Sequence, residues 1–139
     1  MTYTGRCACG AVTATIVGEP VRVGQCWCRQ CQQSASGSPT NNAIFDASTV
    51  TVKGELSRHS YRAASGNTVF HEFCSKCGTQ VLGTSKDRPQ FVGLRLGFLD
   101  EGHGLKPTVA IWTDDAPEWA VIDPSLEKVA RQPVPPKLD

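Results

Sequence analysis

Polar and apolar residues alternate over short stretches of this chain. From Ala11 to Val17, Val12, Ala14 and Ile16 fall on one face, and Thr13 and Thr15 on the other. That alternation predicts a half-buried strand. Gly18-Glu19-Pro20 turns the chain, and Val21 and Val23 open a second strand that runs into Cys26. Paired as a hairpin, these strands would bring the cysteines at 7 and 9 and those from 26 onward near one end of a sheet. Gln30 to Ser36 reads as a short helix, ended by Ser36-Gly37-Ser38-Pro39. Short strands are expected at Ala43–Phe45, Thr49–Lys53, His59–Tyr61, Thr68–Phe73, Thr79–Leu82, Gln90–Leu96 and Thr108–Trp112. Asp123-Pro124 predicts a second short helix through Ala130, with Pro at its first position. Gln132 to Asp139 carries three prolines and reads as a flexible tail. The expected organisation is one mainly β domain over residues 1–131, with few short helices, followed by a tail over 132–139.

Composition narrows the function classes. A chain of 139 residues holds one core. Its net charge of +1 and isoelectric point of about 7.6 advertise no polyanionic partner. No apolar run approaches the ~20 residues that span a bilayer. Met1 to Arg6 has no charged-then-apolar signal pattern. These features predict a cytoplasmic protein that binds neither nucleic acid nor membrane.

Seven cysteines change the picture. Their number is odd, and a reducing cytosol does not keep disulfides. Their clustering in short pairs suits chelation. Cys7-x-Cys9 and Cys74-x-x-Cys77-Gly78 supply four thiolates, which close a tetrahedron as in a structural zinc site; a disulfide pair and an iron–sulfur cluster are the alternatives. Cys26-Trp27-Cys28-Arg29-Gln30-Cys31 places three thiols within six residues. Alternation on extended chain puts Cys26 and Cys28 on one face, and a turn returns Cys31 to the same point. Three thiolates make a partial zinc site, with one position left for chemistry or for a fourth protein ligand. His59, His71 and His103 are the candidates for that ligand.

The order Gly5-x-Cys7-x-Cys9-Gly10, then Cys26-x-Cys28-x-x-Cys31, then Phe73-Cys74-x-x-Cys77-Gly78-Thr79 resembles the glutathione-dependent formaldehyde-activating enzyme family. Gly97-Phe98-Leu99-Asp100, Pro107, Ile111-Trp112 and Pro117-Glu118-Trp119 resemble its later signature. The resemblance implies an Mss4-like fold of several small coiled antiparallel sheets around two zinc ions per chain. It implies a structural zinc on Cys7, Cys9, Cys74 and Cys77, and a catalytic zinc on Cys26, Cys28 and Cys31. It implies carbon–sulfur lyase chemistry, the joining of formaldehyde and glutathione into S-hydroxymethylglutathione and the reverse, on a small-molecule thiol adduct.

Trp27 stands where the family usually has His, and Gln32 where it often has Arg. Trp27 and Arg29, inside the cysteine loop, are therefore expected beside the catalytic metal. The two departures imply a substrate shifted from glutathione toward a smaller or more apolar thiol adduct. Arg6, Arg29, Arg58, Arg62, Lys76 and Arg95 are the cations that can meet a ligand carboxylate, with Arg29 favoured by its place in the loop. The competing reading is a non-catalytic, zinc-stabilised module that binds a protein.

Overall fold

The computed structural model describes residues 1–138. Its elements run β1 (Thr2–Arg6), β2 (Thr13–Val17), β3 (Arg22–Cys26), α1 (Arg29–Ser34), β4 (Thr40–Asp46), β5 (Val50–Lys53), β6 (Leu56–Arg62), β7 (Thr68–Cys74), β8 (Gln80–Ser85), β9 (Phe91–Arg95), β10 (Val109–Ile111) and β11 (Glu127–Val129). The protein is mainly β, as the alternation predicts. Single 3-10 turns at Ala47–Thr49 and Thr113–Asp115 complete the regular structure of the described residues.

The strands form two sheets, one of three strands in the order β1-β2-β5 and one of eight in the order β11-β10-β3-β4-β9-β8-β7-β6. The small sheet is antiparallel throughout. In the large sheet β10 runs parallel to both β3 and β11, and the other pairs are antiparallel. Alternation decides which residues meet. Tyr3, Ala14 and Ile16 point from the small sheet onto Ala43, Phe45, Leu82, Val92 and Leu94 of the large one, forming a dry core. The opposite face of the large sheet carries the intervening residues, including Gly24 and Cys26 of β3, Asn42 and Ile44 of β4, and Gly93 and Arg95 of β9.

Two expectations change, and one strand is additional. The strands on either side of Gly18-Glu19-Pro20 do not pair, because β2 lies between β1 and β5 while β3 lies between β4 and β10. The turn therefore crosses from one sheet to the other. Thr2–Arg6, which carries no prediction, is the partner that occupies one flank of β2, in register Thr4 opposite Thr15. The helix expected from Pro124 to Ala130 is a turn followed by β11. Ser125 N–H donates to Asp123 Oδ1 at 2.8 Å and Leu126 N–H to Asp123 O at 3.1 Å, and Glu127–Val129 then pairs along β10. A helix this short is marginal alone, whereas the edge of β10 offers a row of backbone partners.

Candidate metal centres and the adjoining cavity

Two turns build the first cysteine cluster. Cys7 follows β1, and Gly10 N–H donates to Cys7 O at 3.0 Å. Cys74 ends β7, and Gly78 N–H donates to Cys74 O at 2.9 Å. Gly10 and Gly78 both have positive φ, 81° and 78°, the left-handed conformation that closes each turn. The four sulfurs lie within 4.8 Å of one another. Cys9 Sγ is 3.7 Å from Cys7 Sγ and 3.8 Å from Cys74 Sγ. A tetrahedron with zinc–sulfur bonds of about 2.3 Å has edges of about 3.8 Å. The spacing suits a shared metal and is far too long for a disulfide, and all seven cysteines are free thiols.

The surroundings favour the thiolate at Cys7 and Cys77 and disfavour it at Cys9. Val12 N–H donates to Cys7 Sγ at 3.2 Å, and Lys76 N–H to Cys74 Sγ at 3.4 Å. The Thr79 hydroxyl first, then the backbone N–H groups of Thr79 and Cys9, hold the Cys77 thiol down to about 5. Cys7 and Cys74 are buried, while Cys9 and Cys77 face solvent.

The second cluster sits where β3 gives way to α1. Cys26 ends the strand, Cys28 caps the helix by accepting from Cys31 N–H at 3.4 Å, and Cys31 lies in the first helical turn. Their sulfurs also fall within 4.8 Å of one another. Hydrogen bonds from Cys26 and then Cys28 draw Cys31 down to about 3, with help from the Thr40 hydroxyl and the Arg95 charge. The same bonds, first from Cys28 and then from Cys31, push the Cys26 thiol up. Three thiols thus concentrate one negative charge at a point, a donor set that suits a soft divalent cation. Among the described residues no histidine, carboxylate or further cysteine joins the trio. His103 instead accepts Leu105 N–H at 2.9 Å, and His59 lies against Tyr61.

The trio borders a cavity of about 450 Å³ on the outer face of the large sheet. Gly24, Gly83 and Gly93 form part of its floor, where a Cβ would press on Val109, Arg95 and Ile44 in turn. Tyr61 and His71 stand on its wall, with the Tyr61 hydroxyl 3.3 Å from His71 Nε2 and the rings edge to face. Burial, then the nearby Arg95 charge, pulls His71 down to about 4, so it is neutral at pH 7. Pro133, Pro135 and Pro136 of the tail also line the cavity, while Arg22 donates to Val134 O and Trp112 Nε1 to Gln132 Oε1.

The residues named from sequence are sorted by this geometry. Arg29 and Arg95 line the cavity with Cys26, Cys28 and Cys31. Trp27 is buried, with its indole N–H on Gln25 Oε1 at 3.3 Å, and is not among the lining residues. Gln32 also points away, donating to Trp27 O at 2.7 Å and Asp115 O at 2.8 Å. It staples the cysteine loop to the turn after β10. Neither side chain is among those that line the cavity. Arg58 lies over the Phe70 ring and pairs with Glu72. Sequence reading missed Tyr61 and the glycine floor altogether. The signal available for the floor was Phe91-x-Gly93-x-Arg95, where the small and charged residues share one face of a strand whose other face is Val92 and Leu94.

Comparison with known proteins comes to the same place. The family model described as "Glutathione-dependent formaldehyde-activating enzyme" matches residues 2–115. Among solved structures, a structural-genomics crystal structure of a Rhodobacter sphaeroides protein superposes with a TM-score of 0.56 at 22% sequence identity, covering 75% of this chain and 91% of that one. At that identity the likeness is one of fold.

Proposed function

This chain belongs to the glutathione-dependent formaldehyde-activating enzyme family, and from that membership we propose that it is a zinc-dependent carbon–sulfur lyase acting on a thiol adduct of the S-(hydroxymethyl)glutathione type. The observation that carries the proposal is the contrast between its clusters. Cys7, Cys9, Cys74 and Cys77 form a complete set of four, whereas Cys26, Cys28 and Cys31 form a set of three against a cavity. The first set suits a structural zinc and the second a catalytic one. A zinc held by the three cysteines would lower the pKa of a substrate thiol from its free value of ~8.5 and so would supply the nucleophile at neutral pH.

In the forward direction the thiol sulfur bonds to the formaldehyde carbon, and the thiol proton passes to the carbonyl oxygen, giving RS–CH2–OH. The reverse breaks the carbon–sulfur bond and returns the proton to sulfur. Neutral His71 and the Tyr61 hydroxyl beside it are the cavity groups suited to hold that proton between the two atoms. Arg29, at the start of α1, is assigned to ligand binding at the mouth, and Trp27 to supporting the cysteine loop from behind.

The test follows S-(hydroxymethyl)glutathione formation by exchange NMR, above the spontaneous rate, with zinc-loaded protein. Enhancement by the wild type that disappears in Cys28→Ser supports the proposal. A wild-type protein that leaves the spontaneous rate unchanged, with glutathione and with a small thiol alike, rejects it.

A further inference from the structure

The cavity floor contains a buried cation with an unusual set of partners. Arg95 is only 8% exposed, yet among the described residues no carboxylate pairs with it. Its Nη1 donates to Asn42 Oδ1, directly across from it on β4. Its Nε and Nη2 are buried and have no hydrogen-bond partner. A buried guanidinium with two unpaired donors is costly unless something else completes it. Those two atoms are one edge of the guanidinium, the pair of parallel N–H groups that grips a carboxylate through both oxygens. Asn42 occupies the other side and is itself held, donating to Thr40 Oγ1 at 3.0 Å, so the fork is fixed in place. Gly83 makes room for it, since a Cβ there would lie 3.3 Å from Nη2.

We propose that Arg95 is the carboxylate-recognition residue of this cavity, and that the ligand is a carboxylate-bearing thiol whose sulfur reaches the Cys26–Cys28–Cys31 trio while its carboxylate seats on the Nε–Nη2 edge. This rests on the thiol-adduct reading above and adds the second anchor point. Arg22, Arg29 and Arg88 also line the cavity, so its field draws an anion in. A zinc on the trio would leave a net negative charge there, which the nearby Arg95 would offset, so that a ligand carboxylate would meet a site that is not repulsive.

The test measures binding to zinc-loaded protein by calorimetry, with 3-mercaptopropionate, its amide, and butyrate. The acid and amide differ only in the carboxylate; butyrate has the carboxylate without the thiol. The wild type is expected to favour the acid over the amide by roughly thirtyfold, the scale of hydrogen bonds to a charged group. Arg95→Gln should erase that preference. Arg95→Lys keeps the charge beside the cysteines but not the fork, and should recover only a small part of it; zinc content and melting temperature verify that both variants are folded and loaded. Equal binding of acid and amide by the wild type, or a preference that survives Arg95→Gln, overturns the proposal while leaving the thiol reading intact. If both thiols bind no better than butyrate, and butyrate binding is lost in Arg95→Gln, the anion site stands and the thiol reading falls. If none of the three probes binds, both are overturned.

Discussion

His71 shows how one residue's surroundings set its chemistry. From sequence it is a candidate metal ligand three residues before Cys74. In the fold it stands in the centre of β7, with its ring edge against Tyr61 and its face of the sheet turned to the cavity. Burial first, then the Arg95 charge, lowers its pKa to about 4 from the ordinary 6.5. Between those two values the unfolded chain binds a proton that the native protein does not. Stability therefore rises with pH across this window and is lost as pH falls from about 6.5 toward 4. Above the window His71 adds no pH dependence. Urea unfolding of zinc-loaded wild type and His71→Asn across this range is expected to show a flatter curve for the variant. Parallel curves would mean that His71 titrates normally in the folded protein.

At the scale of elements, the strands of the small sheet are held to one another through close backbone approaches as well as side chains. Gly54, just after β5, has φ of +110°, and a Cβ there would run into the carbonyl oxygen of Ala11 at the entrance to β2. The close approach excludes any side chain, and the conformation disfavours one independently. Gly54→Ala is expected to cost roughly 3 kcal/mol, as judged by chemical denaturation. Gly78→Ala, whose Cβ would meet nothing within 4 Å, carries the conformational strain without the clash. It should cost closer to ~1 kcal/mol. An equal loss at the two positions would show that the contact with Ala11 is relieved by local movement. The α1 element makes a related point. Its six residues are too few to stand alone, and it is held by the Cys28 cap and by Gln32, which ties Trp27 O to Asp115 O.

At the scale of the molecule, the two cysteine clusters do different mechanical work. The outer set joins the end of β1, in the small sheet, to the β7–β8 turn of the large sheet, closing a loop between residues 7 and 77. The inner set lies within one loop at the end of β3. A metal on the outer set therefore restrains far more chain than one on the inner set. Elemental analysis of purified protein is expected to find two zinc ions per chain, and one zinc or a predominance of iron would contradict this. Cys74→Ser should lower stability by on the order of 4 kcal/mol, a fall in melting temperature of roughly 10–15 °C for a domain of this size. Cys28→Ser should cost about 1 kcal/mol while abolishing the inner metal. Equal destabilisation would show that the inner site also holds the fold together.

The chain by itself determined what depends on neighbours in sequence. Period-two alternation marked β2, because a strand's side chains sort by parity whatever it pairs with, and short runs between turn residues marked the strands from β3 to β10. Cysteine spacing determined the inner trio and each outer pair, because two thiols separated by one or two residues can face a single point without help from the rest of the fold, whereas the fold brings the two outer pairs together. Only the tertiary structure decided what depends on pairing. Glu127–Val129 became a strand because β10 offered an open edge, and β2 and β3 parted company because each found other partners. The cavity belongs to the same class. Arg95, Asn42, Gly83, His71 and Tyr61 are spread over five strands, and no local pattern ties them to Cys26. Register alone puts them on one face, and a shift of one residue in β9 would turn Arg95 into the core and Leu94 into the cavity.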